Sequence, residues 1–321
     1  MAPAKPLDEF ALIARYFRPL AGGREGALDL TDDAALLDVP AGRRLVVTAD
    51  ALVAGVHFFA EDAPDLIARK MLRVNLSDLA AMAAVPLGYV MTCAFPKDIG
   101  QTWLAGFAAG LARDQVEFGI TLLGGDTTAT PGPLTFSVTA FGSVETGREL
   151  RRAGAKAGDL IAVSGTIGDA ALGLARLKGK IGGFIGDEEL IERYLLPQPR
   201  LALSQRLIGL ATSAMDISDG LVGDLTHICN ASNLSAVIEA ATLPLSKPAR
   251  HLLAEQPEHL VTALTGGDDY ELLFTLPAAR KAELAQLPVT VIGRMEAGQG
   301  ASVINAEGRA IETGKGGYRH F

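Results

Sequence analysis

The chain has 321 residues, with 29 Lys and Arg against 37 Asp and Glu and a formal charge of −8. Such a length suggests about two domains, each with its own core. A hydrophobic content of 49% with 21% charged residues excludes disorder as the main theme, and net acidity argues against nucleic-acid or anionic-membrane partners, which favour a basic footprint.

The first amphipathic helix is expected from about Asp8, with Phe10, Ile13 and Phe17 on one face. An apolar strand, Leu45 to Thr48, delivers Asp50 to its carboxyl end, and a helix follows from about Asp65. A strand from Tyr89 to Phe95 precedes a helix carrying Trp103, Phe107, Leu111 and Phe118 at helical spacing. The strand Ile120 to Leu123 ends in Gly124-Gly125-Asp126, and Pro131-Gly132-Pro133 leads into the alternating strand Leu134 to Phe141. Between Glu145 and Gly158 the composition shifts to Gly, Arg and Lys, the expected boundary between domains 1–147 and 148–321. Beyond it come a strand, Leu160 to Val163, a glycine turn, and helices at Asp169 to Leu177 and from Arg200. A strand ending Met215-Asp216-Ile217, a helix from Leu221, strands Tyr270 to Leu276 and Val289 to Ile292, and short terminal strands complete the chain. Mixed strands and helices in both halves predict two α/β (α+β) domains, with mixed sheets and flanking helices.

The two cysteines, Cys93 and Cys229, can build neither a disulfide framework nor a cysteine-based zinc site. Both stand among apolar neighbours, as small core residues do, and a reducing cytosol fits. The segment MAPAKPLDEF at the start is charged and has no apolar run, so it does not read as a signal peptide. Leu79 to Pro96 lacks charge, but Pro86 and Gly88 divide it, and no membrane span is expected there.

Six segments carry acids that the surrounding pattern does not need: Asp32-Asp33; Asp50; Asp78; Asp126; Asp216 with Asp219 and Asp224; and Asp268-Asp269 with Glu271. They hold eleven of the acidic residues and, taken as 31–33, 48–58, 75–82, 124–128, 214–224 and 265–273, no Lys or Arg. At spacings of three and four, Asp78 shares a helical face with Met71, Asn75 and Met82. A carboxylate on so apolar a helix must be paired, hydrogen-bonded or bound to metal, because burying it bare costs several kcal/mol. Asp50, Asp126 and Asp268 follow strands or glycine turns, where α/β sheets present ligands, although an isolated Asp at a glycine turn is equally a plain turn former. Hard oxygen donors in this number suit Mg²⁺ better than zinc.

Familiar nucleotide motifs are missing. The sequence has no Gly-x-x-x-x-Gly-Lys-Ser/Thr, no His-Arg-Asp, no Asp-Phe-Gly and no EF-hand loop. The turn Ser164-Gly165-Thr166-Ile167-Gly168-Asp169 is compatible with a phosphate cradle or with a tight packing turn.

The motif set is similar to that of thiamine-monophosphate kinase. The resemblance rests on Thr-Asp-Asp-Ala-Ala-Leu-Leu (31–37), Thr-Ala-Asp-Ala-Leu-Val-Ala-Gly-Val-His-Phe (48–58) and Val-Asn-Leu-Ser-Asp-Leu-Ala-Ala-Met (74–82). It continues through Gly-Gly-Asp-Thr-Thr (124–128), Met-Asp-Ile-Ser-Asp-Gly-Leu (215–221), Thr-Gly-Gly-Asp-Asp-Tyr-Glu-Leu (265–272) and Gly-Tyr-Arg-His-Phe (317–321). It implies the two-domain aminoimidazole ribonucleotide synthetase-like fold and ATP-dependent phosphorylation of thiamine monophosphate to thiamine diphosphate. Carried over by position, Asp32, Asp50, Asp78, Asp126, Asp216 and Asp219 would hold several Mg²⁺ ions, with help from Thr48 and Ala49. Asp78, Asp50 and Asp126 would be the catalytic acids. Gly125, Asp126, Arg152 and Ser218 would contact ATP, and His57, Asp268 and Tyr318 would contact thiamine monophosphate. The resemblance further implies a cytoplasmic homodimer paired through its amino-terminal domains. Departures from the family pattern occur at Thr31, Ala49, Asp268 and Arg319. By residue type alone, His57 also fits a hydrogen-bonded core position, Tyr318 a packing plug and Arg152 a solvated charge.

Overall fold

The computed structural model describes residues 8–314 and 316–318. Arg319, one of the departures, lies outside them. The chain divides into two compact units, Met1–Leu79 with Val85–Thr146, and Ala80–Ala84 with Gly147–Phe321.

In the first unit, α1 (Glu9–Leu12) is a single turn whose N-cap, Asp8, accepts from the Ala11 N–H at 2.8 Å. The expected longer helix gives way to a π-helical turn over Ile13–Phe17 and a 3₁₀ turn over Arg18–Ala21. Pro19 accounts for the change, since it has no N–H to continue an α-helical ladder. Then follow β1 (Arg43–Val53), α2 (Pro64–Ala81), β2 (Val85–Pro96), α3 (Gln101–Phe118), β3 (Leu122–Thr130) and β4 (Thr135–Glu145). Among the described residues the strands form a four-stranded sheet in the order β1-β4-β2-β3, antiparallel except for the parallel pair β2–β3.

Alternation in β1 buries Val46 and Leu52, with Thr48 and Asp50 on the same side, and leaves Leu45, Val47, Ala49 and Ala51 exposed. Helix α2 is buried almost all round from Ile67 to Ala81. Its buried Arg73 is neutralised by Asp114 of α3 at 2.6 Å and by Glu117 at 2.8 Å, as burial of a charge requires. Phe107 of α3 stacks on Phe136 of β4 with centroids 4.9 Å apart, and Phe95 meets both rings edge-on.

The second unit contains β5 (Leu160–Ser164), α4 (Asp169–Leu177), α5 (Asp187–Leu195), α6 (Leu201–Leu207), β6 (Ser213–Asp216) and α7 (Leu221–Ser232). It continues with β7 (Ser235–Glu239), α8 (Lys247–Glu255), α9 (Leu260–Thr265), β8 (Leu272–Leu276), β9 (Val289–Glu296) and β10 (Gly300–Ile304). Its described strands form a six-stranded sheet, β10-β7-β9-β5-β8-β6, with β10–β7 as the parallel pair. Ile161, Val163, Met215, Leu273, Ile292 and the inner face of α7 make one core cluster on this sheet. The opposite residues of the central strands, Ala162, Phe274 and Leu276, join Leu203 and Leu207 of α6 in another. Both cysteines are buried, and burial pushes their thiols up, so they pack as small apolar residues. Among the described residues no helix is long and apolar enough to cross a membrane.

Candidate active site

In the first unit, β1 and α2 bring three of the expected residues together. The Thr48 hydroxyl donates to Asp78 Oδ2 at 2.5 Å, and Asp50 lies one alternation further along the same face of β1. Burial and then the charge of Asp78 raise the Asp50 carboxyl to about 6. Two acids that repel each other, on an otherwise apolar interface, are relieved by a divalent cation. No group of three or more His, Cys, Asp or Glu is gathered for a metal among the described residues. A pair of carboxylates with a hydroxyl nonetheless fits Mg²⁺, which takes one or two carboxylates and completes its shell with water and substrate phosphate oxygens. Ala49 faces the opposite side of β1, exposed, and has no side-chain donor to offer.

Asp126 is not brought into that cluster by the strand register. Asp50 pairs with Val138, Val138 with Met91, and Met91 with Gly125. Asp126 pairs instead with Thr92, and Thr92 with Ser137, which pairs with Ala51. Alternation therefore assigns Asp126 to the other face of the sheet. The segment from Ala21 to Leu37 packs on that second face against Val90, Leu123 and Phe141, which puts exposed Asp32 on the side of Asp126. Asp32 Oδ1 accepts from the adjacent Asp33 N–H at 3.0 Å. Gly125 has φ 151°, and a Cβ there would lie 1.9 Å from the Met91 carbonyl oxygen, so glycine is required at this point of the β2–β3 pair.

His57 sits half-buried after β1, with Nδ1 accepting from the Val53 N–H at 3.0 Å. A ring that accepts at Nδ1 is the tautomer that carries its proton on Nε2.

In the second unit, two loops are zipped together. Asp268 N–H donates to the Ser218 carbonyl at 2.9 Å, Tyr270 N–H to that of Ile217 at 2.7 Å, and Ile217 N–H to that of Glu271 at 2.9 Å. Asp268 and Tyr270 both lie in the left-handed region, at φ 72° and φ 51°, where non-glycine residues are held only by their surroundings. Two buried acids do the holding. Asp269 accepts from the N–H groups of Gly168 at 2.7 Å and Ala170 at 3.3 Å. Glu271 accepts from Ser164 at 2.5 Å, Arg193 at 2.7 Å and Arg200 Nε at 2.6 Å. Asp216 is buried at the end of β6, Ser218 and Asp219 are half-buried, and Tyr318, 54% exposed, donates its N–H to the Asp219 carbonyl at 3.0 Å. The structure thus gathers Asp216, Ser218, Asp219, Asp268 and the backbone of Tyr318 in this unit. Arg152 is exposed in the segment before β5.

The glycine turn at 164–169 resolves as a packing turn. Asp269 takes the N–H groups at the start of α4, and a Cβ on Gly168, at φ 86°, would lie 2.4 Å from the Ala263 Cβ. The roles of Arg193 and Arg200 had no signal in the sequence, because each meets Glu271 across more than 70 residues of chain. The acid Asp269 was visible, but its partners were not.

Two family models match the chain: AIR synthase related protein, N-terminal domain, over residues 31–144, and AIR synthase related protein, C-terminal domain, over residues 156–305. The two units are therefore of the AIR synthase-related class. Within it, the thiamine-monophosphate kinase of Caulobacter vibrioides is 43% identical, across 99% of this chain and 92% of its own. The crystal structure of thiamine-monophosphate kinase from Stenotrophomonas maltophilia is also 43% identical, covering 95% of this chain and 98% of that one with a TM-score of 0.84. AaThiL, solved complexed with AMPPCP and TMP, is 32% identical over 98% of this chain and 97% of its own, with a TM-score of 0.79. The chain belongs to the thiamine-monophosphate kinase family.

Proposed function

We propose that the protein transfers the γ-phosphoryl group of ATP to the phosphate of thiamine monophosphate, giving thiamine diphosphate and ADP, the last step of that cofactor's synthesis. The observation that carries this reading is the likeness, over nearly all of both chains, to a relative complexed with AMPPCP and TMP. The attacking group is a phosphate monoester oxygen whose second pKa is about 6, so at neutral pH it is already largely ionised and needs no general base. What remains for the protein is to bring two polyanions into line. Magnesium, when bound, supplies screening of that repulsion and stabilises charge in an in-line transfer. Asp50, Asp78 and Thr48 would hold one such ion, and Asp32, Asp126, Asp216 and Asp219 would serve others. The Thr48 hydroxyl orients the Asp78 carboxylate. Gly125, Ser218 and Arg152 would meet the nucleotide. His57, through its Nε2–H, Asp268 and Tyr318 would meet thiamine monophosphate, where stacking of a cationic heterocycle on Tyr contributes about 0.5 to 2 kcal/mol.

The protein would work as a cytoplasmic homodimer paired through the amino-terminal unit, whose strand β1 turns Leu45 and Val47 outward. Incubation with Mg-ATP and thiamine monophosphate tests the reading: thiamine diphosphate should appear together with ADP. Orthophosphate in place of thiamine diphosphate would identify a phosphatase, and nucleotide binding without ADP release a sensor.

A further inference from the structure

The loop that carries Asp216, Ser218 and Asp219 is organised by a residue outside it. Asp224, in the first turn of α7, is 1% exposed. A single oxygen, Oδ2, accepts three consecutive backbone N–H groups, those of Ser218 at 3.1 Å, Asp219 at 3.0 Å and Gly220 at 3.1 Å. Successive N–H groups converging on one point form an anion nest, and here the anion is the protein's own carboxylate. Gly220 makes the bend possible, since its φ of 118° is closed to other residues and a Cβ would lie 2.5 Å from the Thr265 carbonyl oxygen.

With their N–H groups turned inward on Asp224, the same residues use their carbonyls elsewhere. Ser218 O accepts from Asp268 N–H at 2.9 Å, and Asp219 O from Tyr318 N–H at 3.0 Å. One carboxylate therefore sits at the root of both groups in the second unit: the residues read as meeting nucleotide and metal, and those read as meeting thiamine monophosphate.

We infer that Asp224 is a positioning residue that sets the loop 216–220 and, through its carbonyls, the placement of Asp268 and Tyr318. This rests on the function proposed above. It requires an acceptor at that place rather than a charge, so Asp224→Asn, which keeps a carbonyl oxygen on the same stem, should preserve the loop, whereas Asp224→Ala should release it.

Two measurements on the full-length protein test this. The first is amide hydrogen exchange at Ser218, Asp219 and Gly220 without metal or nucleotide. Exchange should quicken at least tenfold in D224A and stay within about threefold of wild type in D224N. The second is steady-state kinetics. D224A should raise both the Mg²⁺ concentration for half-maximal rate and the KM for thiamine monophosphate about tenfold, with kcat at saturation lowered less than threefold. D224N should restore both.

Unchanged exchange in D224A, unchanged KM and Mg²⁺ demand despite faster exchange, or a D224N protein as impaired as D224A, would each overturn the inference. If D224A fails to fold, D224N decides alone: retention within threefold supports the acceptor role and a tenfold loss refutes it. A wild-type protein that makes no thiamine diphosphate sinks the functional reading, while the exchange measurement still decides whether Asp224 restrains the loop.

Discussion

Burial and the neighbouring charge of Asp78 raise the Asp50 carboxyl to about 6 from an ordinary 3.8. In metal-free protein, the folded state therefore keeps a proton that the unfolded chain has lost between those two values. The folded state binds more protons in that window, so the contribution of Asp50 to stability is greatest at low pH and falls as pH rises from about 4 to about 6. Its size is about 3 kcal/mol. Calorimetric melts in EDTA should show this decline, and Asp50→Asn should flatten it; an identical pH profile in the variant would dismiss the coupling. Asp78 carries the complementary expectation. Asp78→Asn keeps the shape and the Thr48 contact but gives up a charged oxygen ligand, so ADP formation should be abolished while the melting temperature is retained. Near-wild-type turnover at saturating Mg²⁺ would remove Asp78 from the set of metal-holding residues.

At the scale of elements, the glycine turn into α4 shows what a sequence can and cannot convey. Its composition read as a packing turn yet also admitted a phosphate cradle, and the deciding fact is a carboxylate a hundred residues away that fills the helix start. Asp269→Ala should leave those N–H groups without their acceptor and free the left-handed residues on either side of it. A loss of about 2 to 4 kcal/mol in urea denaturation is expected, and a change under about 0.5 kcal/mol would mean that water replaces the cap.

Strands β1, β2 and β4 and helices α2 and α3 were legible because their apolar residues recur at periods of two or near 3.6, and β5 and β8 because they are short, nearly unbroken apolar runs. The helices α5 and α8 and the strand β7 were not read: the first two are short and largely polar, and β7 has only Ala236, Val237 and Ile238 as apolar residues between polar ends. Strand β3 runs on to Thr130, past the Gly-Gly-Asp expected to end it, because pairing with β2 overrides the weak intrinsic preference of two glycines. For the candidate site the same division holds. The acids stood out for being unneeded by the pattern, yet their sorting onto two faces of one sheet depends on register, and the arginines around Glu271 on long-range packing.

For the whole molecule, the formal charge of −8 is less a general coating than a local concentration, since eleven acids fall in six segments without a balancing Lys or Arg. An acid-rich protein needs a specific apolar surface to self-associate, and β1 offers one. It is an edge strand of its sheet, and Leu45 and Val47 are 43% and 54% exposed on its outward face, beside exposed Ala49 and Ala51. An edge strand with such a face is normally blunted by charge or covered, and in the proposed dimer a second copy of the same strand would supply a self-complementary cover. Replacing Leu45 and Val47 together by Asp leaves the inner alternation of Val46, Thr48, Asp50 and Leu52 untouched. The unit should therefore fold while the pairing is lost to like-charge repulsion and lost apolar burial. Sedimentation equilibrium should give a dimer for the wild-type chain and a monomer for the double variant, with far-ultraviolet circular dichroism unchanged. A wild-type monomer across the micromolar range, or a double variant that stays dimeric, would rule β1 out as the pairing surface.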